Sequence, residues 1–293
     1  EMDTAKLEFA LDLPNNLTEF NFELPSITYD GYYVEYITLG ASNTNEELVA
    51  DLQIDSVSVT ESIHLAGIKT DLLLREQSAV IETLIKNQKN EESLGFATRI
   101  TGNDSTSFNI DFIKDFILNN QQWSVTQASS IEIDGSQFNI PNINLNNGEE
   151  ALNFSGSNEK IDLQLTDFNL NNLVEIVGVD SLEVTGLING DLELGLNDET
   201  PISGDLSINN ISFNEFNIGD LNLDANKEGQ DVTAVMSLKG EEVIMDGDIE
   251  FDMSSSYIFG KVLVEKLNLE PFGPFVNAYA RELTGSMQGY VAF

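Results

Sequence analysis

Cysteine is absent from this chain, so neither a disulfide framework nor a thiolate metal site can be built from it. Histidine is nearly absent: His64 stands alone, whereas acid–base or metal chemistry asks for a convergent set of partners. Basic residues are scarce. Thirteen Lys and Arg against 50 Asp and Glu leave a formal net charge of −37. That balance lacks the Lys/Arg footprint that phosphate neutralisation needs, which argues against nucleic acid. The same sign opposes flat adsorption on anionic membrane surfaces. No stretch approaches the roughly 18 consecutive apolar residues of a membrane span. Proline is limited to 6 of 293 residues and interrupts none of the strongest apolar patterns. No signal-peptide pattern opens the chain: "EMDTAKLEFALDLP" starts in alternation and "GSMQGYVAF" stops in it. The expectation is a fragment of a longer protein.

What is present is apolar material in quantity, 41% of residues with 9% aromatic, enough for a core and against wholesale disorder. Its period is two. Ile131 and Ile133, Phe138 and Ile140, Ile143 and Leu145, Leu152 and Phe154, then Ile161, Leu163 and Leu165 alternate with polar residues. Between such runs lie "NNGEE", "GSNEK" and "NKEGQ", which are turn chemistry. Strands with one apolar and one wet face make an antiparallel sheet buried on one side. "SAVIETLIKNQKNEE" (78–92) has i,i+4 apolar pairs. A strand running into a turn is nevertheless preferred, because "SLGFATRI" follows as a hairpin partner. "FNIDFIKDFILNNQQW" stays open between helix and strand, and "FGPFVNAYARE" (272–282) between a helical turn and a Pro-bent loop.

One stretch departs from plain alternation. In "DLSINNISFNEFNIGDLNLD" (205–224) the pairs Leu206/Ile208, Ile211/Phe213, Phe216/Ile218 and Leu221/Leu223 each start five residues after the last. Parity therefore flips at Asn209-Asn210, Asn214-Glu215 and Gly219-Asp220. A flip needs one extra residue, supplied by a β-bulge or a tight bend, and these residue types tolerate the left-handed backbone involved. Some flips should be bulges and at least one a reversal. Residues 182–196 instead keep one parity, with Gly186 and Gly190 in phase to admit a close neighbour.

A repeat underlies the pattern. At an offset of 99, residues 163–194 align without gaps to 262–293, with Asn169/Asn268, Leu170/Leu269, Thr185/Thr284, Gly186/Gly285 and Gly190/Gly289 identical. A Gly-Asp-apolar-x-apolar motif recurs at 190, 204, 219 and 247. Stacked β units each leaning on their neighbours are implied. With helices nearly missing, the expected fold is all-β. It is an elongated, strongly curled antiparallel repeat sheet forming an open U-shaped trough with an apolar interior, continuous over 1–293. The expected trough lining is Leu163, Leu165, Leu182, Val184, Ile188, Leu192, Leu194, Leu206, Ile208, Ile211, Phe213, Leu221, Leu223, Leu283, Met287 and Val291.

Chemistry-bearing motifs are few. "DGDIEFD" puts Asp246, Asp248, Glu250 and Asp252 on one strand face, which reads as a solvated outer face ahead of a weak Ca²⁺ site. "DFNLNN" and "NDETP" lack EF-hand register, "GLING" has no Lys for a phosphate, and Trp123 reads as a strand anchor. No enzyme, metal or cofactor is expected.

The ordered series "WSVTQASSIEIDGSQFNIPNINLNNGEEALNF", "LTDFNLNNL", "GLINGDLELG", "ISGDLSINNISFNEFNIGDLNLDAN" and "LNLEPF…LTGSMQGYV" resembles the TamB family, the translocation and assembly module subunit, in its Bacteroidota form. The likeness is good from about residue 120 onward and by pattern alone before it. It implies a β-taco of the AsmA-like, bridge-type lipid-transport proteins. Such a protein is held at the inner membrane by an N-terminal helix and spans the periplasm. Its partners would be phospholipid and a TamA-like Omp85-type outer-membrane protein. The function implied is passage of acyl chains along an apolar groove for outer-membrane biogenesis. The alternatives are a chaperone-like scaffold that pairs strand edges with outer-membrane proteins, and a structural β-solenoid spacer.

Overall fold

The computed structural model describes residues 2–12, 17–29, 32–43, 46–58, 64–87, 89–104, 106–126, 130–176, 184–197, 200, 202–213, 216–229, 231–252, 257–270 and 284–292. Strands dominate, every pairing between them is antiparallel, and a single short helix interrupts them among these residues. The chain divides into two compact units, 1–147 with 172–180, and 148–171 with 181–293.

The first unit holds β1 (Lys6–Asp12), β2 (Leu17–Tyr29), β3 (Tyr32–Asn43), β4 (Glu47–Ser58), β5 (His64–Leu65), β6 (Gly67–Arg75), β7 (Ser78–Lys86), β8 (Glu92–Gly102), β9 (Ser107–Phe112), β10 (Phe116–Leu118), β11 (Gln121–Val125), β12 (Ile131–Asp134) and β13 (Gln137–Asn147). From β1 to β4 each strand pairs with the next. β4 then pairs with β6, β6 with β7 and β7 with β8. The region 78–92 is thus the strand expected, with 93–100 its partner. The open segment 108–123 resolves into strands: β9 and β10 both pair with β8, and together they form one broken strand. β12 and β11 lie along it in turn and both pair with β13. Asn119 and Asn120 join β10 to β11 with φ of 52° and 56°, the paired left-handed residues of a type I′ hairpin.

One face of this unit is apolar. Ile37, Ile54, Ile68, Ile85, Leu94 and Leu118 oppose one another in a cross-strand row. It leads to Phe96, Phe112 and Phe116, with ring centroids 6.2 Å apart for Phe96–Phe116 and 4.9 Å for Phe112–Phe116. Trp123, opposite Phe116, is buried, as are Ile143 and Leu145. The reverse face carries Asp51, Asp71 and Glu82 in a row. Lys69 lies 2.7 Å from Asp71 and Lys114 2.5 Å from Glu82. Those lysines offset the repulsion of acids directly opposite one another.

The second unit holds β14 (Glu150–Ser157), β15 (Lys160–Asn169), β16 (Val184–Gly195), β17 (Ile202–Phe213), β18 (Phe216–Glu228), β19 (Asp231–Lys239), β20 (Val243–Asp252), β21 (Tyr257–Asn268) and β22 (Ser286–Ala292), each paired with the next. The helix α1 (Leu170–Ile176) follows β15 and belongs from Asn172 onward to the first unit; Asn169 Oδ1 accepts the amide of Asn171 at 2.9 Å at its start. The segment 272–282 lies outside the described residues.

A line of register shifts crosses this unit. The extra residues fall between Leu165 and Phe168 in β15, between Ile208 and Ile211 in β17, between Asn217 and Gly219 in β18 and between Val264 and Leu267 in β21. Each bulge adds a residue and sharpens the local twist. Beyond the line, Phe213, Ile218 and Val243 form a buried cluster. Val184, Ile211, Phe216, Leu238, Met245 and Leu267 pack against it.

The parity flips of residues 205–224 now have their cause. At the first, Asn210 takes φ 56° and its amide donates to Asp220 Oδ1 at 2.7 Å. At the third, Gly219 takes φ 116°, and a Cβ there would stand 2.2 Å from the Lys239 carbonyl oxygen. These two are bulges facing each other across β17 and β18. Between them the chain reverses, with Phe213 opposite Phe216; Asn214 and Glu215 themselves lie outside the described residues.

Candidate functional site

Cross-strand pairing decides which side chains share a face, because directly opposed residues project to the same side. One row runs Leu152, Leu165, Gly190, Leu206, Leu223, Met236, Gly247, Val262 and Val291. The next runs Phe168, Ile188, Ile208, Leu221, Leu238, Met245 and Val264. On the other flank Phe154 meets Leu163 and Leu163 meets Leu192, while Ile161 meets Leu194. Val184 opposes Phe213, and Met287 opposes Leu267 at the edge of the buried cluster.

Every described residue of the expected lining therefore lies on this one face: Leu163, Leu165, Val184, Ile188, Leu192, Leu194, Leu206, Ile208, Ile211, Phe213, Leu221, Leu223, Met287 and Val291. Leu182 and Leu283 lie outside the described residues. Burial grades along the face. Ile188 and Phe213 are buried; most of the others are half-buried. Leu194, Met287 and Val291 are exposed at 41%, 45% and 52%. Complete burial of a Leu or Ile gains roughly 1.5–3 kcal/mol, so half-burial gains about half of that. The face thus holds its strands together through neighbours within the layer, and retains apolar surface that water touches.

The motif Gly-Asp-apolar-x-apolar is the local device behind this arrangement. At 190, 204, 219 and 247 its Gly and apolar residues take apolar-face parity, and Asp191, Asp205, Asp220 and Asp248 are exposed on the other side. Gly190 explains why one position must be small. Its φ is 147°, and a Cβ would come within 2.0 Å of the Asp205 carbonyl oxygen, so β17 lies directly against it. The close neighbour expected beside the in-phase glycines is that strand.

The repeat is a repeat of pairing. Asp162/Glu193, Leu163/Leu192, Leu165/Gly190, Phe168/Ile188 and Asn169/Leu187 in β15–β16 reappear 99 residues on, as Lys261/Ala292, Val262/Val291, Val264/Gly289, Leu267/Met287 and Asn268/Ser286 in β21–β22. The register shift recurs at the same point. So does the side-chain turn: Asn169 Oδ1 accepts from Asn171, and Asn268 Oδ1 accepts from the Glu270 amide at 3.1 Å.

Electrostatics at this face is bland; the charge sits opposite. Lys160 lies 3.0 Å from Asp162 and 2.5 Å from Glu193, and the hydrogen bond to Glu193, then that to Asp162, raises its pKa. Among the described residues no group of His, Asp and Glu is arranged to hold a metal ion. His64 sits in β5 opposite Ser58. Sequence reasoning missed α1, although Leu170, Leu173 and Val174 carry helical spacing.

Comparison with protein-family models, with curated proteins and with solved structures finds no match to this chain.

Proposed function

We propose that this chain is a segment of a lipid-transfer conduit, with the apolar face of the sheet as the path for phospholipid acyl chains. The cross-strand rows of mostly Leu, Ile, Val and Met that run from β14 to β22, with Gly190 and Gly247 among them and most members half-buried, carry this reading. The finer shape proposed is an open U-shaped trough. The ordered resemblance to the TamB family supports the reading from a different direction, and with it a periplasmic location, an inner-membrane anchor elsewhere in the protein and a TamA-like Omp85-type partner.

The energetics suit the task. At ~0.8 kcal/mol per methylene, bringing two acyl chains of ~30 methylenes into water costs on the order of 20 kcal/mol or more. A continuous apolar face removes most of that barrier while headgroups remain in solvent. Side chains without polar anchors favour sliding over capture. The acidic reverse face keeps so long an apolar surface soluble.

Replacing Leu206 or Leu192 with Asp places a charge in the path. Phospholipid transfer between membranes by the full protein should fall at least about tenfold, a barrier increase of about 1.4 kcal/mol, while far-UV circular dichroism stays strand-like. Transfer at the native rate in a folded Leu206→Asp protein overturns the conduit. A second reading, strand-edge pairing with an outer-membrane protein, draws on β1 and β22. Among the described residues each pairs on one side only, and Leu7, Phe9 and Leu11 are exposed.

A further inference from the structure

The reverse face of the second unit is polar across β15 to β18, where Asp191, Asp205 and Asp224 oppose one another. Across β21 and β22 it is not. Tyr257, Phe259, Leu263 and Tyr290 stand there exposed at 65%, 55%, 44% and 60%. Leu263 opposes Tyr290, and the Tyr257 and Phe259 rings lie 6.4 Å apart. These side chains are not on the apolar face: their neighbours Ile258, Gly260, Val262 and Val264 take that parity.

The repeat shows that the backbone does not demand this. Positions 160, 162, 164, 191 and 193 correspond at +99 to 259, 261, 263, 290 and 292 in the same register. In the first copy they are Lys160, Asp162, Gln164, Asp191 and Glu193, tied by ion pairs and by the Gln164–Asp191 hydrogen bond of 2.9 Å. In the second they are Phe259, Lys261, Leu263, Tyr290 and Ala292. The same pair of strands carries a solvated network once and an aromatic patch once.

Beside the patch lies a hollow of about 460 Å³. Val235, Asp248, Glu250, Phe259, Lys261 and Ala292 line it with reverse-face parity, and Ala234, Ile249 and Gly260, of the other parity, lie between them. Asp246, Asp248, Glu250 and Asp252 follow along β20 between Val235 and the aromatic strand. Among the described residues no ion pair reaches Asp246, Asp248 or Glu250.

We infer that the reverse face of β19 to β22 docks a protein partner through an extended segment that alternates basic and apolar side chains. Exposed apolar patches mark interaction sites. Aromatic side chains supply most of the energy in such sites. The charge of the surroundings selects the occupant: a row of carboxylates one strand spacing from two aromatic rings offers an Arg both an ion-pair acceptor and a cation–π face. The same carboxylates repel anionic headgroups, which excludes an acidic lipid surface. This site is independent of the opposite face and of its proposed lipid.

The test uses a fluorescein-labelled, end-blocked peptide of alternating Arg and Leu, read by anisotropy at about 0.15 M ionic strength. Phe259→Ser and Tyr290→Ser, both at exposed positions, should each weaken binding at least about fivefold, as should Asp248→Asn. Asp205→Asn, an acid on the same face away from the hollow, should leave it within about twofold. Unchanged binding in both aromatic variants overturns the inference. So does equal loss in Asp205→Asn and Asp248→Asn, which leaves only generic attraction. Sedimentation showing a dimer that Phe259→Ser dissociates replaces the proposed partner with a second copy. Binding of phosphatidylglycerol vesicles that Phe259→Ser abolishes replaces it with lipid.

Discussion

The two copies of the repeat, β15–β16 and β21–β22, share a register to the residue, yet differ in what surrounds them. The first is paired on both outer flanks, by β14 and β17; the second has β20 on one side and, among the described residues, nothing beyond β22. In the first, Asp167 takes φ 45° at the bulge. Its amide donates to Asn189 Oδ1 at 2.8 Å, and Asn189 Nδ2 donates to Asp167 Oδ1 at 3.1 Å. The second has Lys266 and Gln288 at those places. Pairing, bulge and Asn turn thus persist after the side chains that reinforced them have changed. The hydrophobic pattern and an extra residue suffice for the shape; the polar reinforcement is local and replaceable.

The comparison breaks hardest at the glycines. Gly190→Ala should cost about 3 kcal/mol or more, from a Cβ inside the Asp205 carbonyl and an unfavourable φ. Gly289→Ala, with nothing within 4 Å of the new atom, should stay within about 0.5 kcal/mol in urea denaturation. Equal costs would mean that the second copy is as tightly flanked as the first.

Next comes the apolar face. Leu192→Asp, between Leu163 and Gly204, should cost about 2 kcal/mol. Val291→Asp, 52% exposed at an edge, should cost less than about 1 kcal/mol by the same measurement. The bulge contacts are smaller. Asn189→Ala removes two hydrogen bonds and should cost about 1–2 kcal/mol, while Gln288→Ala should cost nothing measurable.

The smallest difference is electrostatic. Lys160 has a pKa raised above 10.5 by Glu193 and Asp162. A raised folded-state value means that its contribution is complete below 10.5 and fades as pH climbs through the higher one. Melting curves of native protein and Lys160→Ala should therefore differ slightly at neutral pH and converge in strong alkali. Phe259→Ala, at the equivalent position, should show no such convergence.

Much of this was readable from residues. Period-two alternation located the strands, and the three parity flips announced kinks or reversals, because one face can stay apolar across an inserted residue only through such a change; which were bulges was not legible. The helix α1 escaped because its seven residues, "LNNLVEI", include two Asn and continue a strand that already alternates. The segment 108–123 stayed open because Ile113 to Asp115 break one strand into β9 and β10, mixing two short periods. "YIFGKVLV" advertised both faces as apolar, a signal that strand identity alone does not interpret. How the apolar face is covered depends on long-range geometry, on which the local pattern is silent.

The most direct measurement is a photocrosslinking scan of β17 in the full protein, one reactive residue at a time, against radiolabelled phospholipid. The account predicts lipid adducts at Leu206, Ile208 and Ile211 and none at Asp205, Ser207 or Ser212, with the phase slipping by one residue at Asn209–Asn210. Adducts at neither parity, or equally at both, would contradict it.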